Sequence, residues 1–422
     1  MKKLLILGAN PETIGLVKQA ISMGIYTIVI DPFKDAPAKE VADQSFDIDG
    51  FDVEGICEVA RDQNIDGVMV GAADILVSSY YRVCKKLNFP CYVNEETAIA
   101  LTNKSNFIEK CKEYGVSTTP RFNVNIDNIE SESHLLPYPL MVKPTDMGGG
   151  AGMQIVSSKE EILEKIRQAY DISIKKEVMI EKYMNCHDML AYYNFKDGAV
   201  RLAGVADRYT SKKSSKGSPV CIGALYPSIY LEKFLDEVNP KVTRMLKSMG
   251  IKNGVLNLQF FYDNQNFYAY DPGFRIQGEA PHIYLKEFFD LCNLSSLIKF
   301  ALGENSIETS FAKLDPHFPQ HACTIWVLLK EGEIAHIEGI KEIESRKGII
   351  FNMQRLYKGD CVESDMIGTE KQVFARIYIV GNKSEVKKNI QYVQQTLEIL
   401  DSTKNNLILD MISENELENN EH

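Results

Sequence analysis

Two lysines and a glycine cluster lie in an order that could bind a triphosphate. Lys143 closes the apolar run PLMVK, and the stretch after it contains Gly148, Gly149, Gly150 and Gly152. Because glycine has no side chain, the backbone N–H groups of such a loop can approach phosphate oxygens closely. The same letters also fit a plain tight hairpin, with the lysine at its surface.

A second group of residues could hold the rest of a nucleotide. Lys104 begins an amphipathic stretch and is the other candidate cation. Downstream, VMIEKYM places Glu181 at the end of an apolar run, ahead of Lys182 and Tyr183. The backbone here could bond to the edge of an adenine base, and Asp188 could accept the protons of ribose hydroxyls. Acids that follow strands are common, so this group alone is a weak signal.

The third group could bind a metal ion. The stretch NLQFFYDNQNFYAYDPGFR has two apolar runs joined by a polar turn, which predicts a hairpin. Pairing would bring the oxygens of Asn257, Gln259 and Asp271 to one face. Hard oxygen ligands of this kind suit Mg²⁺, which also takes phosphate oxygens and water. Arg275 follows shortly after and could pair with a carboxylate or a phosphate.

The elements that must position these residues begin with a βαβ rhythm over residues 1–100. Apolar runs at 3–8, 26–31 and 67–70 alternate with amphipathic stretches at 12–23, 53–63 and 75–87, which predicts a parallel sheet. The turn GANPETIG is not the GxGxxG of a dinucleotide site, although Asp31 ends the second strand as a ribose-binding acid would. An NAD oxidoreductase is therefore a weak alternative, and a scaffold without dinucleotide is favoured.

The remainder of the chain divides into two further predicted units. Residues 101–312 form the central one, with a smaller lid subdomain over 121–182 whose helix at 158–170 starts with a capping box of Ser158 and Glu161. One long helix is predicted at about 231–249. Residues 313–422 form an α+β unit, in which 321–330 and 334–340 read as a hairpin across residues 331–333. The segment DRYTSKKSSKGSPVCIG, which holds Arg208 and Lys216, reads as a solvated loop or as a lid over an anionic intermediate.

Composition excludes several classes of protein. The 422 residues are 45% hydrophobic and 25% charged, as in an ordinary globular protein. A net charge of −11 argues against a general nucleic-acid or membrane binder. No apolar run approaches the length of a membrane span. The nine cysteines are scattered singly, which fits reduced thiols and predicts a cytoplasmic protein.

Together, these motifs resemble the ATP-grasp superfamily of ligases, and the likeness covers essentially the whole chain. It implies a multidomain α/β and α+β fold with a Rossmann-like N-terminal domain, an ATP-grasp central domain and a C-terminal α+β domain. The residues it assigns to ATP are Lys104, Lys143, the flap Gly148, Gly149, Gly150 and Gly152, the adenine hinge Glu181, Lys182 and Tyr183, the ribose acid Asp188, and Gln259. It assigns Mg²⁺, or Mn²⁺ in its place, to Asn257, Gln259 and Asp271, and catalytic roles to Arg275 and Lys143.

One position departs from the family pattern. Gly273 stands where the family usually has an Asn that ligates the second metal ion. Either the metal is held differently, with Asn257 or a water compensating, or activity is lost and the chain is a non-catalytic ATP-binding protein.

The resemblance implies a carboxylate–amine ligase that forms an amide or peptide bond through an acyl phosphate and releases ADP and phosphate. The C-terminal unit is similar to that of bacterial L-amino-acid ligases, and also to biotin carboxylase and carbamoyl-phosphate synthase. A bicarbonate-activating enzyme is therefore the alternative. The implied partners are a small carboxylate and a small amine, and a homodimer is a further expectation.

Overall fold

The computed structural model describes residues 1–123, 129–147, 152–213, 219–304 and 309–418. Three of the glycines predicted for the phosphate flap, Gly148, Gly149 and Gly150, lie outside the described residues, as does Lys216.

The N-terminal part is a four-stranded parallel sheet with the strand order β3-β2-β1-β4, as the βαβ rhythm predicts. Its central strands are buried almost throughout, because helices cover a parallel sheet on both faces. The elements are β1 (Lys3–Leu7), α1 (Ile14–Ser22), β2 (Tyr26–Ile30), β3 (Gln44–Phe46), α2 (Val53–Asp62), β4 (Gly67–Val70), α3 (Val77–Leu87) and α4 (Glu95–Ala100).

A small antiparallel sheet with the order β5-β8-β6-β7 follows, within the range predicted for the lid. The elements are α5 (Lys104–Glu113), β5 (Arg121–Phe122), α6 (Ile129–Glu132), β6 (Leu140–Pro144), β7 (Gln154–Val156), α7 (Ile162–Ile172) and β8 (Val178–Lys182). Of the two hydrogen bonds of the predicted capping box, the one that Glu161 accepts is present. Glu161 Oε1 accepts a hydrogen bond from Ser158 N at 3.1 Å, but α7 begins after Glu161, so the Ser158 hydroxyl is too early to cap it.

The large sheet has nine strands within the described residues, in the order β13-β12-β9-β10-β11-β14-β19-β17, with β21 also paired to β14. Its first half and the helices beside it are β9 (His187–Lys196), β10 (Ala199–Thr210), β11 (Cys221–Tyr226), α8 (Leu231–Glu237), α9 (Asn239–Ser248), β12 (Gly254–Tyr262), β13 (Phe267–Gly273), α10 (His282–Phe289) and α11 (Asn293–Ala301).

The C-terminal elements complete this sheet. They are β14 (His321–Leu329), β15 (Gly332–Glu333), β16 (His336–Glu338), α12 (Ile340–Ser345), β17 (Ile349–Gln354), β18 (Cys361–Val362), β19 (Val373–Gly381), α13 (Lys383–Thr396), β20 (Glu398–Leu400), β21 (Ile408–Asp410) and α14 (Asn415–Glu418). The pairing of β11 with β14 joins strands on both sides of residue 313. The fold is thus mixed α/β around one large sheet, and the division into three domains stays a prediction.

Two predicted elements are wrong. The helix predicted at 231–249 is two helices, because Pro240 lacks the N–H that a helix interior needs and lies instead in the first turn of α9. The predicted hairpin of 321–330 with 334–340 does not form. Strand β14 pairs with β11, β19 and β21, while β15 pairs with β18 and β16 pairs with β20. The buried β14 therefore takes its neighbours from distant parts of the chain.

Candidate nucleotide-binding site

A cavity of about 220 Å³ lies between the small sheet and the large sheet. Six of the residues predicted for nucleotide or metal binding line it: Lys104, Lys143, Tyr183, Asp188, Gln259 and Asp271. These residues come from α5, β6, β9, β12, β13 and the segment after β8, so the fold gathers side chains that are far apart in the sequence. Five other predicted residues are described but do not line this cavity: Gly152, Glu181, Lys182, Asn257 and Arg275.

Lys143 forms an ion pair with Glu181 inside the small sheet. The two residues lie diagonally across the antiparallel strands β6 and β8, in which Lys143 faces Met179. Lys143 Nζ is 2.6 Å from Glu181 Oε2, and the two side chains are 4% and 3% exposed. Glu181 Oε1 is buried and has no hydrogen-bond partner among the described residues. Each of these charges is therefore compensated by the other in a place with little access to solvent.

Lys104 forms a second and more open pair with Asp271. The helix α5 begins at Lys104, and its N-terminus is capped by Asn103, whose side chain accepts hydrogen bonds from two backbone N–H groups. Lys104 Nζ lies 3.0 Å from Asp271 Oδ1 and donates to the carbonyl of Met147 at 2.7 Å. The side chains of Lys104 and Asp271 are 12% and 27% exposed. The lysine thus connects α5, β13 and the residue that precedes the glycine cluster.

Asp188 belongs to a buried network that sequence analysis did not foresee. Arg208, which faces Asp188 across β9 and β10, contacts Asp188 Oδ2 at 3.0 Å and Glu279 Oε1 at 2.8 Å. Tyr270 donates its hydroxyl hydrogen to Asp188 Oδ1 at 2.9 Å. Burial raises the pKa of the Asp188 carboxyl, although Arg208 opposes that shift, and burial also raises the pKa of Glu279. Arg208 is therefore part of strand β10 and not of the predicted loop.

The predicted metal ligands share one face of the β12–β13 hairpin. Gln259 faces Asp271 and Asn257 faces Gly273 across the two strands. A Cβ atom at Gly273 would lie 2.3 Å from Asn257 Oδ1, so the side chain of Asn257 fills the space that a side chain at 273 would need. Asn257 Oδ1 is buried and has no partner within the described part of the chain.

This donor set fits a magnesium ion that is bound together with a nucleotide. It offers one carboxylate and two amide oxygens, and no cluster of three or more His, Cys, Asp or Glu residues suited to a metal occurs in the described ranges. Mg²⁺ is usually held by one or two carboxylates while phosphates and waters complete its shell. A hairpin face with a single carboxylate therefore needs the phosphates of a nucleotide to hold the ion.

Arg275 lies beyond this face and contacts the N-terminal part. Arg275 Nη2 is 2.5 Å from Asp74 Oδ2, and Nη1 donates to the carbonyl of Ile276 at 2.9 Å. Its guanidinium thus links the end of β13 to the segment after β4. A contact of Arg275 with a substrate carboxylate stays a prediction.

The backbone around the predicted adenine hinge is already partly bonded. The N–H of Lys182 donates to the carbonyl of Pro120, and the N–H of Tyr183 donates to the carbonyl of Pro139. Gly152 has a φ of +72°, and a Cβ there would lie 2.9 Å from Pro144 Cγ, so glycine suits this turn after the flap. In the N-terminal turn, Asp31 Oδ2 accepts a hydrogen bond from Ala9 N at 2.9 Å, which gives this acid a local role in the fold.

Comparison with known proteins defines the class of this chain. Residues 103–304 match the family described as carbamoyl-phosphate synthase L chain, ATP binding domain. The matched part of the chain, residues 103–304, therefore belongs to the ATP-grasp superfamily, which the order of lysines, glycines and candidate metal-binding strands predicts.

Individual relatives are distant and of several kinds. The carbamoyl phosphate synthase large chain of Thermotoga petrophila is 24% identical over 302 residues, which cover 67% of this chain. The chain spans about a quarter of the length of that protein, with 27% covered.

Two solved structures share the fold over almost the whole chain. The L-amino acid ligase of Bacillus licheniformis has a TM-score of 0.76 at 17% identity, covering 95% of this chain and 99% of that one. The biotin carboxylase domain dimer of the Hydrogenobacter thermophilus 2-oxoglutarate carboxylase, in complex with MgADP, ADP and bicarbonate, has a TM-score of 0.74 at 17% identity. It covers 94% of this chain and 90% of that one.

Proposed function

We propose that this protein is an ATP-dependent carboxylate–amine ligase, which forms an amide or peptide bond through an acyl phosphate and releases ADP and phosphate. The observation that carries this proposal is the single cavity onto which Lys104, Lys143, Asp188, Gln259 and Asp271 converge. The match to an ATP-grasp domain and the MgADP bound by a structural neighbour support ATP and Mg²⁺ as its cofactors. We propose Mn²⁺ as a substitute for Mg²⁺.

The side chains around the cavity suit phosphoryl transfer, which depends on positioning and on charge neutralisation. Lys143 and Lys104 would bring positive charge to the triphosphate. Gln259, Asp271 and Asn257 would hold the cation on the hairpin face, and the chemistry that Mg²⁺ would supply there is neutralisation of phosphate charge.

Lys104 has a second task in this proposal. Because its ammonium pairs with Asp271 at 3.0 Å, a cation bound by Asp271 must share or displace that contact. Binding of the metal and the nucleotide would in this way be coupled to the position of the Lys104 side chain.

A bicarbonate-activating enzyme is the second candidate, and the bicarbonate and MgADP in the neighbouring biotin carboxylase domain favour it.

In the described part of the chain, no helix combines the length and the apolar character needed to cross a membrane. A homodimer is proposed because the biotin carboxylase domain that shares this fold is a dimer.

The test is ADP release by the purified protein with MgATP across the twenty common L-amino acids, singly and in pairs, and with bicarbonate. We expect ADP formation to depend on a carboxylate together with an amine, and to stop when EDTA removes the metal. ADP release with bicarbonate alone would favour the second candidate. Thermal stabilisation by MgATP without ADP release under any condition would indicate a non-catalytic binding protein.

A further inference from the structure

A second cavity, of about 190 Å³, lies between α3 of the N-terminal part and the segments that follow β6 and α7. Lys104, Met147 and Asp271 line both this cavity and the nucleotide cavity, so the Lys104–Asp271 pair is their common wall. We propose that this second cavity binds the carboxylate substrate, and that this substrate carries an apolar body. The inference rests on the proposed function and adds the chemical class of the substrate.

Apolar side chains from separate segments are exposed in this cavity. Phe51 precedes α2, Ile75 follows β4 and Ile174 follows α7, and these side chains are 45%, 38% and 54% exposed. Leu101, which is buried, also lines the cavity. Apolar side chains that are exposed singly need no explanation, but their convergence on one concave surface is typical of a binding site. The body of the ligand is therefore apolar.

The charges of the lining select an anion. The acids already have partners: Asp74 pairs with Arg275, and Asp146 accepts hydrogen bonds from Ser173 Oγ at 2.9 Å and Lys175 N at 2.6 Å. Asp271, the other acid in the lining, pairs with Lys104.

Two cations in the lining are not matched in this way. Arg82 and the ammonium of Lys175 are exposed, and neither forms an ion pair or a side-chain hydrogen bond with any residue that the structure describes. One of these two positive charges offsets the carboxylate of Asp146, whose own hydrogen-bond donors are uncharged, and the other is left over, which favours a carboxylate over an amine as the ligand of the cavity.

The position of the cavity matches the order of the proposed reaction. The carboxylate must meet the terminal phosphate before the amine attacks, so its site has to adjoin the phosphate end of the nucleotide. The shared Lys104–Asp271 wall provides this adjacency, because Lys104 also contacts Met147, immediately before the glycine cluster. A ligand in the second cavity is thus one side chain away from the proposed metal and phosphates.

The first arm of the test removes charge. Arg82→Gln keeps most of the side-chain length, and Arg61→Gln is its matched control on the exposed face of α2. With the carboxylates that support ADP release, we expect Arg82→Gln to raise the KM for the carboxylate about tenfold, the worth of one charge-assisted contact. The KM for ATP should stay within twofold, and Arg61→Gln should match the parent. An unchanged KM for the carboxylate in Arg82→Gln would overturn the assignment.

The second arm removes apolar surface. Ile174→Ser should raise the KM for carboxylates with apolar bodies and leave that for small ones such as acetate or glycine unchanged, whereas Ile21→Ser, an exposed isoleucine of α1, should change neither. If the parent protein shows no carboxylate-dependent ADP release, the proposed function fails. The cavity is then judged separately by ligand-observed NMR with 3-phenylpropionate and its neutral amide. Binding of the acid that is lost in Arg82→Gln supports the inference, and the absence of such binding refutes it.

Discussion

The two lysine–carboxylate pairs beside the cavity have the same charges but differ in burial. Lys143 and Glu181 are almost fully buried within one small sheet, whereas Lys104 and Asp271 join a helix to the large sheet and are partly exposed. A buried pair cannot lose one partner without leaving an uncompensated charge, while an exposed pair contributes little to stability. We therefore expect the loss of one partner of the first pair to destabilise the small sheet, and the second pair to exchange a partner for a ligand more readily.

Asp271→Asn tests the open pair and should have the largest effect on activity. We expect turnover to be abolished, because the hairpin face loses its carboxylate, while the free energy of unfolding changes by about 1 kcal/mol or less. ADP release and urea unfolding measure the two quantities. Asp236→Asn, an exposed acid of α8, is the control. Normal turnover in Asp271→Asn would remove Asp271 from the metal site.

Glu181→Gln tests the buried pair and should have its larger effect on stability. The ammonium of Lys143 would remain buried without a counter-charge, which costs about 3–5 kcal/mol of stability. Urea unfolding would show this loss. Replacing both partners, as Lys143→Met with Glu181→Leu, should recover part of the stability but not the activity. If Glu181→Gln is as stable as the parent protein, the Lys143–Glu181 pair does not stabilise the small sheet.

Lys104→Ala and Lys143→Ala address what the two lysines share. Each should weaken ATP binding or turnover by more than tenfold, since each removes a charge-assisted contact to the triphosphate. Isothermal titration with a non-hydrolysable ATP analogue and ADP release measure the two effects. Lys112→Ala on α5 and Lys159→Ala ahead of α7 are matched controls, because both lysines are exposed. Near-normal ATP-analogue binding and ADP release in either lysine variant would show that this lysine does not contact the triphosphate.

The smallest expected effect concerns Asn257, the uncharged candidate metal ligand on β12. Asn257→Ala should weaken Mn²⁺ binding about threefold to tenfold when ADP is present, because one amide oxygen is lost; electron paramagnetic resonance of Mn²⁺ measures this affinity. Gly273→Asn alone should destabilise the protein by about 1–3 kcal/mol, since its Cβ would lie 2.3 Å from Asn257 Oδ1.

The double variant Asn257→Ala with Gly273→Asn completes a double-mutant cycle with the two single variants. It should be more stable than Gly273→Asn alone and should bind Mn²⁺ more tightly than Asn257→Ala alone, because the amide returns from the neighbouring strand. Additive effects on both quantities would show that the two positions do not share one space.

How far the sequence predicts this molecule depends on how local each signal is. The parallel strands β1, β2 and β4 are continuous apolar runs, and Lys143 stands out because it ends such a run, so both could be predicted. The neighbours of β14 could not, because its partners β11, β19 and β21 lie far away in the chain and no turn announces them. For the same reason the contacts of Asp188 with Arg208 and of Arg275 with Asp74 were missed. Each needs the assembled sheets before the two side chains meet.

The pairing of β11 with β14 also decides where the chain can be cut. Every residue of β11 is buried, and β14 covers its edge along the register from Gly223 to Tyr226. A fragment that ends at residue 312 would leave that edge with unpaired N–H and C=O groups beside apolar side chains, which is the surface that promotes edge-to-edge aggregation. The C-terminal quarter of the chain thus shields an edge of the sheet that lines the cavity, and we expect a fragment without it to aggregate.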